Sequence, residues 1–171
     1  MQYNIHPIIV HFPIAMLFLY SIIKVLPFKK WFPNVSWKHI EIVLLLVGVV
    51  SAFTASSTGE IAEELVRPNE DVLGAHQFFA GASTWIYSLI LVGEALVFLI
   101  PKFISKFGFF SIIKLFTFFE KILTNNILVK ILAILGLISI ILTGLLGGVM
   151  VYGTTADPLA APILKLLGIS L

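Results

Sequence analysis

The sequence predicts an all-α fold, an integral membrane four-helix bundle with an amphipathic interfacial helix between spans three and four. Three observations carry that prediction. Of 171 residues, 59% are hydrophobic and 12% charged, with a mean hydropathy of +1.07; a soluble domain is nearer half apolar and a quarter charged. Four stretches supply the roughly 20 apolar residues that crossing about 30 Å of hydrocarbon requires. Lysines gather on one side of those stretches, the pattern of cytoplasmic loops. The chain has no cysteine, which excludes disulfides, thiolate metal sites, iron–sulfur ligation and covalent c-type haem. Nothing resembles a nucleophilic triad, a phosphate-binding loop or a nucleic-acid surface, so no nucleic-acid partner is expected. A single membrane domain over residues 1–171 is expected, with no internal repeat.

The first span covers about residues 7–26 and opens on NIHPIIVHFPIA. The preceding residues, MQYNIHP, lack a basic n-region and a small-residue cleavage site, so this span is expected to be retained. Pro7 suits a first helical position, whereas Pro13 removes a donor and frees the Ile9 carbonyl. A start near Phe12–Pro13 would instead leave HPIIVH extended over the bundle. The second span covers about 39–57, followed by TGEIAEELVRPNEDVLGAH, read as a short acidic helix over about 60–66. It ends before Arg67–Pro68, because the residue preceding proline is biased away from the helical region. Asn69 or Asp71 can then cap the third span, about 75–100. Between this span and the fourth, about 127–152, the polar residues Lys102, Lys106, Lys114, Thr117, Lys121 and Thr124 recur at near-helical intervals. Phe103, Phe107, Phe109, Phe110, Phe116, Phe118 and Phe119 fill much of the remainder. That pattern predicts an interfacial helix over about 102–124, lysines toward anionic headgroups; a partner-docking surface is the alternative.

Lys24, Lys29, Lys30, Lys38, Lys102, Lys106, Lys114, Lys121 and Lys130 fall on the side opposite the N-terminus, and only Arg67 and Lys165 on its own side. The lysine side is therefore expected to be cytoplasmic, with both termini extracytoplasmic and the chain in the cytoplasmic (inner) membrane. The lipid bilayer is its first partner. The outer side also collects Glu60, Glu63, Glu64, Glu70, Asp71 and Asp157.

This topology brings His6, His11 and His76 to the outer end and leaves His39 at the other. In a regular helix His6 and His11 point about 140° apart, so a pair drawn from two helices, His11 with His76, is the easier one. Two neutral imidazoles facing each other across a four-helix bundle suit six-coordinate haem b. Gly48, Ala52, Ala55 and Gly59, Ala80 to Ser83, and Gly144, Gly147 and Gly148 offer neighbours without bulk. Thr54, Ser57, Thr58 or the carbonyl freed by Pro13 can accept the second N–H of each ligand. The plainer readings stay open: small residues let membrane helices approach closely, and histidines at a membrane surface can be merely solvated. Two histidines, His11 and His76, with a carboxylate such as Glu60, could instead bind zinc or another divalent ion. At the cytoplasmic end Lys24, His39, Glu41 and Glu94 form a second cluster, with Glu94 either ion-paired to Lys24 or Lys38 or part of a proton relay.

HPIIVHFPIA before four spans, TGE closing the second, a histidine opening the third and GLLGGVMVY in the fourth resemble a family of bacterial membrane proteins, domain of unknown function 2231. The likeness extends over nearly the whole chain. It falls on His6, Pro7, His11, Phe12, Pro13, Thr58, Gly59 and His76. The histidine that follows VY in many relatives is missing from VYGTTADP here, which leaves His6, His11 and His76 to carry a site. Members fused or adjacent to c-type cytochrome and Rieske-like modules imply membrane redox work. The leading expectation is a b-type cytochrome or redox subunit, with His11 and His76 as axial ligands and His6 as a substitute or second-shell donor. Its partners would be quinone, a c-type cytochrome or other subunits of a respiratory complex. The competing expectations are a cofactor-free accessory subunit and a metal-binding or proton-conducting carrier.

Overall fold

The computed structural model describes residues 4–107 and 111–170, and for residues 106, 107, 111 and 112 the backbone alone. Among the described residues every regular element is helical. Four helices are long and apolar enough to cross a membrane: His6–Val25, Trp37–Val66, Glu70–Ser105 and Asn126–Thr155.

The first of these has two parts, α1 (His6–Ile9) and α2 (His11–Val25), with a turn at Val10 between them. Pro7 occupies the first turn of α1. Pro13 then denies Ile9 its usual partner, which is where the helix is interrupted. After the short α3 (Phe28–Trp31), helix α4 (Trp37–Val66) runs unbroken through Gly59. The second span and the acidic helix expected over 60–66 are therefore one element. Arg67 ends it in the left-handed region, φ 47° and ψ 60°, its N–H on the Glu63 carbonyl at 2.9 Å. Pro68 prevents any continuation. Asn69 is the cap of α5 (Glu70–Phe107): its Oδ1 accepts from Asp71 N at 3.0 Å and Val72 N at 3.2 Å. Asn125 caps α7 (Asn126–Tyr152) in the same way, accepting from Ile127 N and Leu128 N.

The expected interfacial helix over 102–124 is divided differently. Helix α5 continues through Pro101 to Phe107, and only α6 (Ser111–Leu123) is separate. It runs back along α5, and its Leu123 lies so close to Gly93 that a Cβ there would stand 2.7 Å from the leucine Cβ. Phe109 and Phe110, and the side chains of Lys106 and Phe107, lie outside the described residues.

In the bundle α2 packs on α4 and α7, and α5 on α4 and α7, so α2 and α5 are diagonal to each other. Leu17, Tyr20, Leu45, Val49, Tyr87, Ile90, Val129, Ala133 and Ile140 form the central core. A second cluster, Val72, Leu146, Val149, Ala160 and Leu164, tucks α8 (Ala160–Leu166) under the end of α5 and α7.

The two halves of this ring match in spacing. Leu17 follows His6 by 11 residues and fills the space over Gly48, which precedes Gly59 by 11. Tyr87 follows His76 by 11 residues and fills the space over Gly136, which precedes Gly147 by 11. Eleven residues make about three helical turns, so each set lies on one face. The buried positions keep step as well. Pro13, Leu17 and Tyr20 of α2 match Ser83, Tyr87 and Ile90 of α5. Glu41, Leu45, Gly48 and Ala52 of α4 match Val129, Ala133, Gly136 and Ile140 of α7. The hairpins α2–α4 and α5–α7 therefore share the spacing of their buried positions, although the residues at those positions differ.

Candidate functional site

The end of the bundle where α1 begins and α4 ends holds three histidines. The Nδ1 of His6 is 3.0 Å from Thr58 Oγ1. Because the Thr58 hydroxyl donates to the Ala55 carbonyl at 3.0 Å, it accepts from His6, and Nδ1 of His6 carries the proton. His76 Nδ1 is 3.0 Å from the Thr143 carbonyl oxygen, which can only accept. The two rings thus share one tautomer, Nδ1–H, and no described residue takes the Nε2 lone pair of either. Each also lies over a glycine. A Cβ at Gly59 would stand 3.5 Å from His6 Cε1, and one at Gly147 would stand 3.5 Å from His76 Cε1. In both cases that glycine is four residues beyond the residue whose carbonyl receives the bond from the imidazole or from its threonine.

His6 and His76 occupy corresponding places at the same end of the bundle, and both are half-buried. His11 belongs to a different environment. It is exposed, and its Nδ1–H reaches back 2.5 Å to the Pro7 carbonyl on its own helix. His6, not His11, shares the setting of His76, a half-buried ring over a glycine; spacing alone favoured His11. The reason is rotational: α1 turns His6 toward α4, and a residue five positions on faces away.

Along residues 2–157 the chain matches the model of a family described as predicted membrane protein (DUF2231). The chain belongs to this family. No curated protein and no solved structure matches it. As a DUF2231 membrane protein it has His6, Thr58, Gly59, His76 and the Thr143 carbonyl all inside the matched residues, while α8 lies beyond them.

Of the other acceptors considered for the histidines, Thr54 and Ser57 donate to the Val50 and Phe53 carbonyls of their own helix at 3.0 and 3.1 Å. Gly48 is filled by Leu17, with a Cβ there 2.3 Å from Leu17 Cδ2, so it has no room for a ligand. Among the described residues no three His, Asp or Glu side chains stand close enough to hold a metal ion, Glu60 included.

At the opposite end Glu41, only 2% exposed, is paired with Lys24 at 3.0 Å and Lys29 at 2.9 Å. Glu94 is paired with Lys38, not Lys24. His39 stays outside these pairs, its Nδ1 on Ser36 Oγ at 2.6 Å. Midway along the bundle Ser21 and Tyr87 are hydrogen-bonded at 2.6 Å, and the buried hydroxyl of Tyr20 has no partner among the described residues. Sequence reasoning missed this polar pair. Its signal was present: a glycine, Gly136, in the middle of an otherwise bulky fourth span.

Proposed function

We propose that this membrane protein is a redox subunit in which His6 and His76 would hold haem b through their imidazoles. One observation carries the reading. Two half-buried histidines at the same end of the bundle, each over a glycine, have their Nδ1–H groups committed to protein acceptors, which leaves Nε2 of each for a ligand. Acceptors at Nδ1 fix the tautomer, hold the ring plane and raise the basicity of Nε2. Two imidazoles with no third protein donor suit an iron whose other four nitrogens come from a macrocycle better than a bare tetrahedral ion. When bound, haem supplies one-electron chemistry. The chain's own part is to fix the tautomer of each ring through Thr58 and the Thr143 carbonyl. Electrons would be exchanged with quinone, a c-type cytochrome or another subunit of a respiratory complex.

The absorption spectrum tests this. Protein purified from cells supplied with haem should show a Soret band and an α-band that sharpens on reduction. His6→Ala and His76→Ala should each abolish the low-spin spectrum, whereas His11→Ala should leave it intact. A colourless wild-type protein removes the reading. It would favour instead a cofactor-free accessory subunit, which the filling of Gly48, Gly93 and Gly136 by Leu17, Leu123 and Tyr87 supports.

The orientation belongs to the same proposal. The histidine end faces the extracytoplasmic side and the lysine end the cytoplasm of an inner membrane, by the lysine asymmetry. The cysteine-free chain makes the check direct. In intact cells, cysteine placed at Thr155 should react with a membrane-impermeant maleimide, and cysteine placed at Ser36 should react only after lysis.

A further inference from the structure

The connection from α2 to α4 folds into a concave, positively charged feature that the redox reading does not use. A groove of about 330 Å³ is lined by Lys29, Pro33, Val35, Ser36, Trp37 and Lys38. Its rim is aromatic and fixed: Phe28 packs on Trp31, Phe32 and Trp37 with ring centroids 5.3–6.4 Å apart, and Trp37 Nε1 donates to the Phe32 carbonyl at 2.9 Å. Trp31 and Phe32 are nonetheless exposed, the placement of aromatic residues at a membrane–water boundary. The two groove lysines are held from behind. Lys29 is paired with Glu41 and Lys38 with Glu94, yet their side chains are 57% and 48% exposed. An ammonium has three donors, so each keeps N–H groups for the groove after its ion pair is made. Lys24, Lys29 and Lys38 outnumber Glu41 and Glu94, and exposed Lys30 adds to the excess.

We infer that this groove seats the phosphate of an anionic phospholipid such as phosphatidylglycerol. The charge is complementary, and basic pockets beside membrane helices at a leaflet surface suit anionic headgroups. Exposed apolar side chains nearby, Leu26 just past α2 and Ile40 and Val43 on α4, offer the acyl chains a path beside the seat. The inference needs only that the lysine end lies at a membrane surface. It is independent of which side that is and of any haem.

The test uses the full chain with Trp37 as its single tryptophan, Trp31→Phe and Trp85→Phe, in phosphatidylcholine vesicles. Brominated phosphatidylglycerol should quench Trp37 more strongly than brominated phosphatidylcholine at equal mole fraction. The preference should fall about fivefold per groove lysine removed, from the attraction of one lysine to an anionic surface. Lys29→Gln leaves Glu41 its pair with Lys24, and Lys38→Gln with Glu94→Gln removes a whole ion pair, so neither leaves a buried charge alone. Equal quenching by the two lipids in the unaltered groove overturns the inference. So does displacement of phosphatidylglycerol by inorganic phosphate in the aqueous phase, which would make this a site for soluble phosphate. A protein retaining only Trp85, two residues from Tyr87 and so about midway along the bundle, should show no preference.

Discussion

A hydrogen bond at Nδ1 leaves Nε2 as the available nitrogen of an imidazole, and burial, not that bond, distinguishes the histidines here. His6 and His76 direct Nδ1–H into the protein and turn inward; His11 makes the same bond to Pro7 but faces outward. Glycines separate as cleanly. A Cβ at Gly136 would stand 2.7 Å from Tyr87 Cζ, a rigid ring hydrogen-bonded to Ser21, whereas one at exposed Gly74 would meet nothing within 4 Å. Gly136→Ala should therefore destabilise the bundle by about 1–3 kcal/mol through overpacking. Gly74→Ala should stabilise it by up to about 1 kcal/mol through helix propensity. Thermal unfolding in detergent, followed by circular dichroism, checks both, and equal shifts would contradict the packing argument. These distinctions are only half legible in the sequence. Spacing shows that His6 and His11 cannot face the same way, but not which turns inward, because that depends on the rotation of α1 against α4.

At the scale of elements, hydropathy locates the four spans and side-chain chemistry locates their ends. Asn69 before the third and the Arg67–Pro68 stop were both readable because capping and proline geometry are local. Gly59 was misleading. TGE looks like a terminus, yet α4 continues through it, since one glycine costs a helix only about 1 kcal/mol and tertiary contacts outweigh that. The amphipathic segment was recognised by its periodicity, but its reversal onto α5 depends on Gly93 admitting Leu123, a long-range contact that no local pattern announces. At Gly93→Ala the new Cβ would meet the Leu123 Cβ at 2.7 Å and its carbonyl oxygen at 3.0 Å. The backbone must yield, so α6 should separate from α5 while the four long helices persist. Limited proteolysis of the detergent-solubilised variant checks this: faster cleavage in the connection between α5 and α6 is expected, with the helical signal nearly unchanged. Unchanged protection would show that Gly93 does not fasten the hairpin.

At the scale of the molecule, the matched spacing of the two hairpins sets one histidine of each over a glycine at the same end. The shared spacing was hidden in the sequence because it keeps positions, not residues. Leu17 corresponds to Tyr87, Leu45 to Ala133 and buried Glu41 to Val129, while α6 is inserted in one hairpin and α3 in the other. Large and small side chains exchange across the halves, as interdigitated packing requires and similarity searching cannot follow. If each hairpin is a packing unit, the only covalent link between them, around exposed Arg67 and Asn69, should be dispensable. Residues 1–67 and 68–171, co-expressed as separate chains with a tag on the first, should copurify in stoichiometric amount. The hairpins also pack on each other, α2 on α7 and α4 on α5, so either piece expressed alone should be less stable than the pair. In the split protein His6 and His76 arrive on different chains, so any Soret band should appear only when both are present. Two stable pieces that insert in the membrane but fail to associate would refute the account of two docked hairpins, whatever the occupant of the histidine site.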